Sequence, residues 1–318
     1  MSSTFVITGV AGLVGSHLAE ILLEEEHQVV GIDNFNDYYT VSQKRSNIAA
    51  FKDHPNFTLY ENDIRDADCM MEIFKAHEPQ AVAHLAAMAN VRYSIGRAPL
   101  YTDVNIVGSV NLLEAARLTD CSNFVFASTS SIYGHTKQLP FIETDPCNAP
   151  LSAYPASKKA IEMMGYTYHN LHELNFTALR FFSVYGKRAR PDMMPFMITD
   201  KLVKGEPITL FNAGQMKRDW TYVEDIAQGV ASALKKPLGY EVINIGRGEP
   251  VLMADFVNML EELTGKKAIL ETPPAPASEP EITFANIDKA RTLLDYQPQT
   301  PVREGLKNLW DWYQGEYL

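Results

Sequence analysis

The fold class of this chain is decided by the stretch Thr4-Phe5-Val6-Ile7-Thr8-Gly9-Val10-Ala11-Gly12-Leu13-Val14-Gly15. Thr4–Thr8 is an apolar, β-branched run that predicts a strand, and the glycines follow it with G-x-x-G-x-x-G spacing. A helical pattern then runs from Ser16 to Glu26. Strand, glycine turn and helix in this order are typical of a loop whose backbone comes close to a pyrophosphate at a helix N-terminus.

A second strand is predicted at Gln28–Ile32, and Asp33 follows it directly. This carboxylate stands about 20 residues beyond the glycines, where dinucleotide-binding folds hold a ribose diol. It would repel a 2′-phosphate, and no arginine follows at once. The pattern therefore favours NAD over NADP as the cofactor.

Further strands alternate with helical stretches along the chain. They are predicted at Phe57–Glu61, Ala81–Ala86 and Phe124–Ser128. The alternation indicates an α/β fold, a Rossmann-type doubly wound parallel sheet with helices on both faces. Ligands of such sheets bind at the carboxyl ends of the strands, so we expect Asp63, Ile64 and the Leu85-Ala86-Ala87 segment to line the cofactor.

The C-terminal part has a different pattern. Two long amphipathic helices, Tyr101–Thr119 and Ala153–Leu174, precede it, whereas Asp255–Thr264 and Val302–Tyr313 predict short helices outside the sheet. We expect a Rossmann domain with the catalytic residues over residues 1–186 and a smaller, discontinuous α/β substrate-binding lobe over 187–318. Some segments of the lobe, about residues 219–250, are expected to return to the first domain.

Composition limits the function classes. The chain has 318 residues, 46% hydrophobic and 21% charged, as in ordinary globular proteins. A net charge of −11 argues against a nucleic-acid partner. No apolar run approaches the ~18 residues of a membrane span, and the start has no signal-peptide pattern, so we expect a cytoplasmic protein. The odd, widely spaced Cys69, Cys121 and Cys147 predict neither disulfides nor a metal site.

The segment Tyr154-Pro-Ala-Ser-Lys158 is a candidate proton-transfer device. On a helix, Tyr154 and Lys158 share one face because they lie four residues apart. A free phenol has a pKa near ~10 and is a poor base at neutral pH. A nearby ammonium favours the phenolate and lowers that pKa. The pair alone is weak evidence, since this spacing arises by chance on amphipathic helices.

From Phe5 to about Tyr313 the chain resembles the extended short-chain dehydrogenase/reductase family, its sugar-nucleotide epimerases and dehydratases in particular. The matching segments are Gly9-x-x-Gly12-x-x-Gly15, Asp33-Asn34, Asp63-Ile64, His84-Leu85-Ala86-Ala87, Asn105, Ser128-Thr129-Ser130-Ser131-Ile132-Tyr133-Gly134, Tyr154-x-x-x-Lys158 and Arg218-Asp219. Within this family it most resembles UDP-glucuronate 4-epimerases, through Asn34-Phe35-Asn36-Asp37-Tyr38-Tyr39, Val91-Arg92-Tyr93-Ser94, Arg180-Phe181-Phe182-Ser183-Val184-Tyr185-Gly186 and Arg190-Pro191-Asp192-Met193.

The resemblance implies a role for each matching residue. Tyr154 would take the proton from the sugar C4 hydroxyl as hydride leaves C4 for NAD⁺. Lys158 would bind the nicotinamide ribose and lower the tyrosine pKa, and Thr129 would hydrogen-bond the reacting oxygen. The implied cofactor-binding residues are Gly9, Gly12, Leu13, Val14, Gly15, Asp33, Asn34, Asn36, Asp63, Ile64, Leu85, Ala86, Ala87, Asn105, Tyr154 and Lys158.

Ser130 and Ser131 distinguish between the reactions of the family. Related 4,6-dehydratases carry an Asp-Glu pair at these positions, and UDP-glucuronate decarboxylases carry a glutamate at the second. Serines cannot act as that acid–base pair at neutral pH, so both reactions are disfavoured. The resemblance thus implies 4-epimerisation between UDP-glucuronate and UDP-galacturonate through a transient 4-keto sugar. A UDP-glucose/UDP-galactose 4-epimerase, a UDP-glucuronate decarboxylase and a non-catalytic NAD-binding scaffold remain open.

The resemblance also implies a substrate site and a dimer. Ser130, Ser131 and Ser183 would hydrogen-bond the C5 carboxylate without like-charge repulsion. Further substrate contacts are expected from Arg190 and Arg92 to the sugar, from Arg218 to the diphosphate, from Phe211 at the uracil pocket and from Glu279 to the uridine ribose. Glu279 belongs to a Ser278-Glu279 pair where relatives carry Gly-Asp. The two long helices match those that pair in a four-helix dimer interface, so we expect a homodimer.

Overall fold

The structure is a computed structural model and describes residues 2–276 and 280–318. Its largest element is a seven-stranded, all-parallel sheet. The strands, numbered along the chain, are β1 (Thr4–Thr8), β2 (Gln28–Ile32), β3 (Phe57–Tyr60), β4 (Ala81–His84), β5 (Asn123–Thr129), β6 (Asn175–Phe181) and β10 (Tyr240–Ile245). Their order is β10-β6-β5-β4-β1-β2-β3. The winding direction reverses between β1 and β4, and such a reversal opens a crevice for ligands at the carboxyl ends of the strands.

Helices pack on both faces of this sheet. They are α1 (Leu13–Glu24), α2 (Val41–Ile48), α3 (Ala67–His77), α4 (Ala98–Tyr101), α5 (Gly108–Leu118), α6 (Ala153–His172), α8 (Val223–Lys235) and α10 (Asp288–Leu294). Phe5 and Ile7 of β1 pack with α1, α8 and α10, whereas Val6 packs with α3, α5 and α6 on the other face. Burial on both faces explains why β1 reads as a continuous apolar run.

A smaller lobe follows the end of β6. It contains β7 (Ser183–Tyr185), α7 (Met194–Lys204), β8 (Pro207–Thr209), β9 (Lys217–Tyr222), β11 (Pro250–Leu252), α9 (Met253–Thr264), β12 (Ile269–Glu271), β13 (Ile282–Thr283) and α11 (Val302–Tyr317). Strand β9 pairs in parallel with β7 and β13 and antiparallel with β11, and β12 pairs with β8. A separate apolar cluster that includes Tyr185, Trp220, Phe256 and Leu306 forms the core of this lobe.

The predicted Rossmann-type fold class is confirmed, and several element ends differ from the prediction. Helix α1 begins at Leu13 and ends at Glu24, because Glu26 has a left-handed φ of 63°. Strand β4 stops at His84, since the N–H groups of Leu85 and Ala86 turn to donate to Thr8 Oγ1 at 3.2 and 3.1 Å. The segment of about residues 219–250 that was predicted to return to the first domain contains α8 and β10, and β10 is a strand of the large sheet. The division of the chain into two domains stays a prediction.

The predicted helix Tyr101–Thr119 is interrupted by a wider turn. The chain forms α4, then a π-helical segment Thr102–Val107, then α5. The π-helical segment buries Asn105, which is 1% exposed, and its carboxamide donates to Met88 O at 2.9 Å and accepts from Met88 N at 2.8 Å. Helix α6 keeps the predicted start at Ala153 and ends at His172, before Glu173 with a φ of 57°.

Candidate active site

A cavity of about 350 Å³ lies at the carboxyl ends of the central strands. Its lining comes from the glycine turn, the ends of β2 and β5, the loops after β3 and β4, the first turns of α6 and the segment after β6. The predicted residues that line it are Gly9, Gly12, Leu13, Val14, Gly15, Asp33, Asn34, Asn36, Asp63, Ile64, Leu85, Ala86, Ala87, Thr129, Tyr154, Lys158 and Arg190. One cavity therefore joins the predicted cofactor residues to the predicted catalytic residues.

The glycine turn is packed too closely for side chains. Gly9 has a φ of +71°, and a Cβ on it would meet Ala86 N at 2.9 Å. A Cβ on Gly15 would lie 2.2 Å from the carbonyl oxygen of Gly9. Gly12 precedes α1 without a side-chain cap, so the first N–H groups of this helix are available to an anion. The turn fits a pyrophosphate group.

Replacing Gly15 by alanine should lower NAD affinity by at least about tenfold, because the new methyl group forces the turn and α1 apart. Equilibrium NAD titration by fluorescence would measure the change. Gly315→Ala on α11 is the matched control, since a Cβ there has no neighbour within 4 Å and NAD affinity should not change. Wild-type affinity in Gly15→Ala would contradict the assignment of the turn.

Asp33 presents a carboxylate whose position is set by the backbone. Its oxygens accept hydrogen bonds from Ala11 N at 3.1 Å and Phe35 N at 2.9 Å. Burial raises the pKa of this carboxyl against the opposing effect of those bonds. Nearby, Lys44 is 4% exposed and donates to the backbone carbonyl of Asn36 at 2.7 Å and to its side-chain oxygen at 2.9 Å. This end of the cavity fits a ribose diol.

In the loop after β3, the carboxyl group of Asp63 is ionised at neutral pH. The Arg65 guanidinium donates to both of its carboxylate oxygens at 2.9 Å, and Asn34 donates to one of them at 2.8 Å. The hydrogen bond from Arg65 lowers the pKa of Asp63 to about 2. The carboxylate is therefore available as an acceptor throughout the neutral range.

A chain of hydrogen bonds positions the loop after β4. Ser109 donates to the backbone carbonyl of Asn105 at 2.6 Å, so it accepts from His84 Nε2 at 2.7 Å. His84 Nδ1 then accepts from the hydroxyl of Thr8 at 2.7 Å. Burial lowers the pKa of His84 well below its usual value, which keeps the ring neutral in this tautomer. Asn105 thus lies behind the loop and supports Met88, which lines the cavity.

Thr129, Tyr154 and Lys158 all line the cavity. Thr129 ends β5, Tyr154 is in the first turn of α6, and Lys158 follows one turn later on the same face. Lys158 is 3% exposed, and its ammonium lies 4.6 Å from the ring centroid of Phe126. Burial lowers the pKa of Lys158 from 10.5 to about 7.

The pKa of Tyr154 is shifted in the direction opposite to the sequence expectation. Burial raises it, and a hydrogen bond with Thr129 and the charge of Arg190 lower it by less. The protein's own groups therefore keep the phenol protonated at neutral pH. The positive charge of an oxidised nicotinamide ring would favour the phenolate when the cofactor is bound.

Three loops meet around Asp192 at the edge of the cavity. Arg190 Nε donates to one carboxylate oxygen at 2.9 Å, and Tyr38 and Asn90 each donate to the other at 2.9 Å. Against the effect of burial, the hydrogen bond from Arg190 lowers the pKa of Asp192. This cluster holds the Arg190 guanidinium at the cavity, where its charge acts on Tyr154.

The other predicted substrate residues lie outside the cavity lining in the part of the chain that the structure describes. Ser130 and Ser131 begin a 3₁₀ turn, in which Ser131 N donates to Thr129 Oγ1 at 3.2 Å. Ser183 stands between Phe182 and Val184, which do line the cavity. The guanidinium of Arg92, in the loop after β4, lies 5.6 Å from the ring centroid of Phe211 in the smaller lobe. Arg218, also in the smaller lobe, donates to Pro280 O at 2.9 Å. Ser278 and Glu279 lie outside the described residues.

Sequence reasoning missed several lining residues. They are Ile32, Tyr38, Tyr39, Lys44, Asn62, Met88, Ala89, Asn90, Val104, Ala127, Ser128, Phe181, Phe182, Val184 and Met193. Tyr38 and Tyr39 belong to the Asn34–Tyr39 segment that carries the family resemblance, so the sequence could have indicated that they line the site. Lys44 and Asn90 carry no motif of their own, because only the packing of α2 and of the loop after β4 brings them to the cavity.

A parallel doubly wound sheet whose cavity joins a glycine turn and an acidic strand end to a Thr-Tyr-Lys set defines a nucleotide-cofactor-dependent enzyme of the dehydrogenase and epimerase class. Residues 5–246 match the model of the NAD dependent epimerase/dehydratase family, and the chain belongs to this family. The predicted family and NAD cofactor are thereby confirmed.

Relatives with assigned activities cover nearly the whole chain. The UDP-glucuronate 4-epimerase of Thermodesulfobacterium geofontis is 41% identical over 309 residues, which are 97% of this chain and 95% of the relative. The Bacillus cereus UDP-glucuronic acid 4-epimerase, solved with UDP-glucuronic acid and NAD, is 34% identical with a TM-score of 0.92, over 99% of this chain and 100% of the other. The Thermotoga maritima UDP-glucose 4-epimerase, solved with UDP-glucose, is 29% identical with a TM-score of 0.88, over 98% and 99% of the two chains.

Within residues 2–276 and 280–318, no group of His, Cys, Asp or Glu side chains is arranged to hold a metal ion. In those same ranges no helix has the length and apolar character needed to cross a membrane.

Proposed function

We propose that this protein is an NAD-dependent 4-epimerase that interconverts UDP-glucuronate and UDP-galacturonate through a transient 4-keto sugar. The observation that carries this proposal is the single cavity that contains Asp33, Thr129, Tyr154 and Lys158. The similarity to UDP-glucuronate 4-epimerases over nearly the whole chain supports the substrate.

The cofactor residues have separate tasks in this proposal. The glycine turn and the N-terminus of α1 would hold the pyrophosphate, Asp33 the adenosine ribose and Lys158 the nicotinamide ribose. When bound, NAD would supply the redox chemistry, taking a hydride from the sugar C4 and returning it to the opposite face. The protein's own groups would then move the proton and orient the sugar.

Tyr154 would carry the proton between the C4 oxygen and the site. Its hydrogen bond with Thr129 places a hydroxyl beside the reacting oxygen, and a hydroxyl can both donate and accept as charge develops there. Lys158, one turn further along α6, would hold the nicotinamide ribose. Whenever Lys158 is protonated, its ammonium would also favour the Tyr154 phenolate. Tyr154 would return the proton after the hydride returns, so no net proton is consumed.

The serines would control the fate of the intermediate. A 4-keto sugar with a C5 carboxylate is a β-keto acid, which loses CO₂ readily. Hydrogen bonds from Ser130, Ser131 and Ser183 would hold the carboxylate without supplying an acid. Arg190 lines the cavity, where its charge acts on Tyr154, and would contact the sugar. Arg92, Phe211, Arg218 and Glu279 are proposed contacts to the rest of the UDP-sugar.

Incubation of the purified protein with UDP-glucuronate and NAD tests the proposal. We expect the NMR signals of UDP-galacturonate to grow until the two sugars reach equilibrium. Release of CO₂ with a pentose product, or no turnover, would overturn the proposal. A higher kcat/KM on UDP-glucose than on UDP-glucuronate would replace it with a neutral-hexose epimerase.

We also propose that the protein is a homodimer that pairs through α5 and α6. Large apolar side chains on these helices are exposed: Leu118 by 54%, Met163 by 63%, Tyr166 by 54% and Leu171 by 64%. Such a patch is typical of a protein interface. The two-lobe division at residue 187 and the cytoplasmic location stay predictions.

Light scattering at micromolar concentration should give twice the 35.6 kDa chain mass. Placing arginine at both Met163 and Leu171 should give a monomer, since buried unpaired charges oppose association. Replacing the exposed Lys307 of α11 by alanine should leave the dimer intact. A wild-type monomer would contradict this proposal.

A further inference from the structure

Glu162 and Arg180 form an ion pair inside the protein, next to the proposed active site. Glu162 on α6 is 0% exposed and Arg180 on β6 is 1% exposed. Arg180 Nε donates to Glu162 Oε1 at 2.9 Å, and its terminal nitrogen donates to Oε2 at 2.8 Å. Although burial opposes it, the hydrogen bond from Arg180 lowers the pKa of Glu162, so the pair is ionic at neutral pH.

Stability alone does not account for such a pair. Two charges lose their hydration when they are buried, and well-packed apolar residues of similar volume are often as stabilising. What an ion pair adds is a bidentate geometry with a narrow range of distances and angles. The position of this geometry within the fold therefore indicates its role.

The pair also forms hydrogen bonds with the end of β5 and with the 3₁₀ turn that follows it. Ser128, which directly precedes Thr129, donates to Glu162 Oε1 at 2.7 Å. Arg180 donates to the hydroxyl of Tyr133 at 3.0 Å, and Tyr133 ends the 3₁₀ turn that begins at Ser130. The Tyr133 hydroxyl in turn donates to Asn244 on β10 at 2.7 Å.

On the helix side, Tyr154, Lys158 and Glu162 lie at intervals of four residues on one face of α6. A displacement of Glu162 would thus move the helix turn that carries the proposed base. A displacement of Ser128 would move Thr129. The carboxylate of Glu162 therefore connects the end of β5, which carries Thr129, to the helix that carries Tyr154 and Lys158.

We propose that Glu162 and Arg180 are positioning residues that set the distance between Thr129 and the Tyr154–Lys158 turn during proton transfer. This inference rests on the proposed epimerase function. Neither Glu162 nor Arg180 lines the cavity, and the pair would act by fixing the end of β5 and the 3₁₀ turn against α6.

The double variant Glu162→Met with Arg180→Met removes both charges of the pair and keeps an apolar contact. It leaves the ammonium of Lys159, which lies 3.2 Å from Glu162 Oε2 in the wild type, but this side chain is partly exposed and can be hydrated. We expect kcat on UDP-glucuronate to fall at least about tenfold, since small misplacements of reacting groups are costly. KM and the Kd for NAD should change by less than about threefold, because the groups that bind the ligands keep their contacts. The thermal unfolding midpoint should stay near that of the wild type.

Two single variants complete the test. Ser128→Ala removes one hydrogen bond to Glu162 and should lower kcat in the same pattern without a change in unfolding midpoint. Tyr168→Phe, which removes the hydrogen bond from α6 to Glu114 at the far end of the helix, is the matched control and should keep wild-type kcat. If the double variant does not fold, Ser128→Ala decides the question by whether kcat falls while KM stays unchanged, because Ser128 also lines the cavity and loss of a direct substrate contact would raise KM.

The outcomes separate this inference from the proposed function. A wild-type protein without epimerase activity would refute the function. Active wild-type protein, together with a Ser128→Ala variant and a folded double variant that keep kcat within about twofold, would overturn the positioning role. A loss of kcat accompanied by an equal fold-loss of NAD affinity, or by a lower unfolding midpoint, would also overturn the positioning role. Either result would indicate a general structural effect.

Discussion

Replacing Tyr154 by phenylalanine should lower kcat by roughly 10²–10⁴-fold or more, because the variant lacks the hydroxyl that transfers the C4 proton. The NAD affinity and the unfolding midpoint should remain close to those of the wild type. The aromatic ring of Tyr154 stays in the variant, so its packing against Tyr101 at a centroid distance of 6.2 Å is preserved. Steady-state turnover of UDP-glucuronate and NAD titration measure both quantities.

Tyr166→Phe is the control for this substitution. It removes a phenol hydroxyl from the same helix at a side chain that is 54% exposed and does not line the cavity. It should keep wild-type kcat. Wild-type turnover by Tyr154→Phe would remove Tyr154 from the proton-transfer role and transfer that role to another group at the cavity.

Replacing Lys158 by methionine should also lower kcat by about 10²-fold or more, since the proposed ribose contact and the charge proposed to favour the Tyr154 phenolate are both lost. Unlike Tyr154→Phe, it should weaken NAD binding. A variant that turns over at the wild-type rate, or that loses kcat with unchanged NAD affinity, would contradict the double role of this lysine.

The same substitution should change how stability depends on pH when the protein is prepared without NAD. The pKa of Lys158 is about 7 in the folded protein, where the side chain is buried, and 10.5 in the unfolded chain, where it is hydrated. Between these values the unfolded chain binds a proton that the folded protein has released, so the free energy of unfolding of the wild type rises with pH. Below pH 7 the ammonium is buried at full cost, and above pH 10.5 the cost is gone.

Lys158→Met removes this contribution. The variant should be more stable than the wild type by a few kcal/mol below pH 7, and the difference should shrink as the pH approaches 10.5. Urea unfolding of both proteins at either end of this range measures it. Parallel stability curves for the two proteins would show that burial does not lower the pKa of this ammonium.

The local part of the fold follows from the sequence. Thr4–Thr8 and Gln28–Ile32 form strands at the predicted residues, and Ala153 begins the predicted helix. These elements have strong patterns, because strands buried on both faces are continuously apolar and the glycine turn has no tolerated alternative. Strands β6 and β10 were not predicted. Their apolar runs are interrupted by Thr177, Arg180 and Asn244, whose burial depends on partners elsewhere in the chain.

The sequence by itself determined the Rossmann-type class, the cofactor turn with Asp33, and the candidate set Thr129, Tyr154 and Lys158, because each depends on short spacings along the chain. The tertiary structure alone decided which other groups surround that set. Arg190 is held by a cluster from three separate loops, and the buried Glu162–Arg180 pair joins α6 to β6. It also reversed the expected pKa shift of Tyr154, since burial, which no local pattern encodes, outweighs its neighbours. Long-range contacts and desolvation arise only when distant segments pack together.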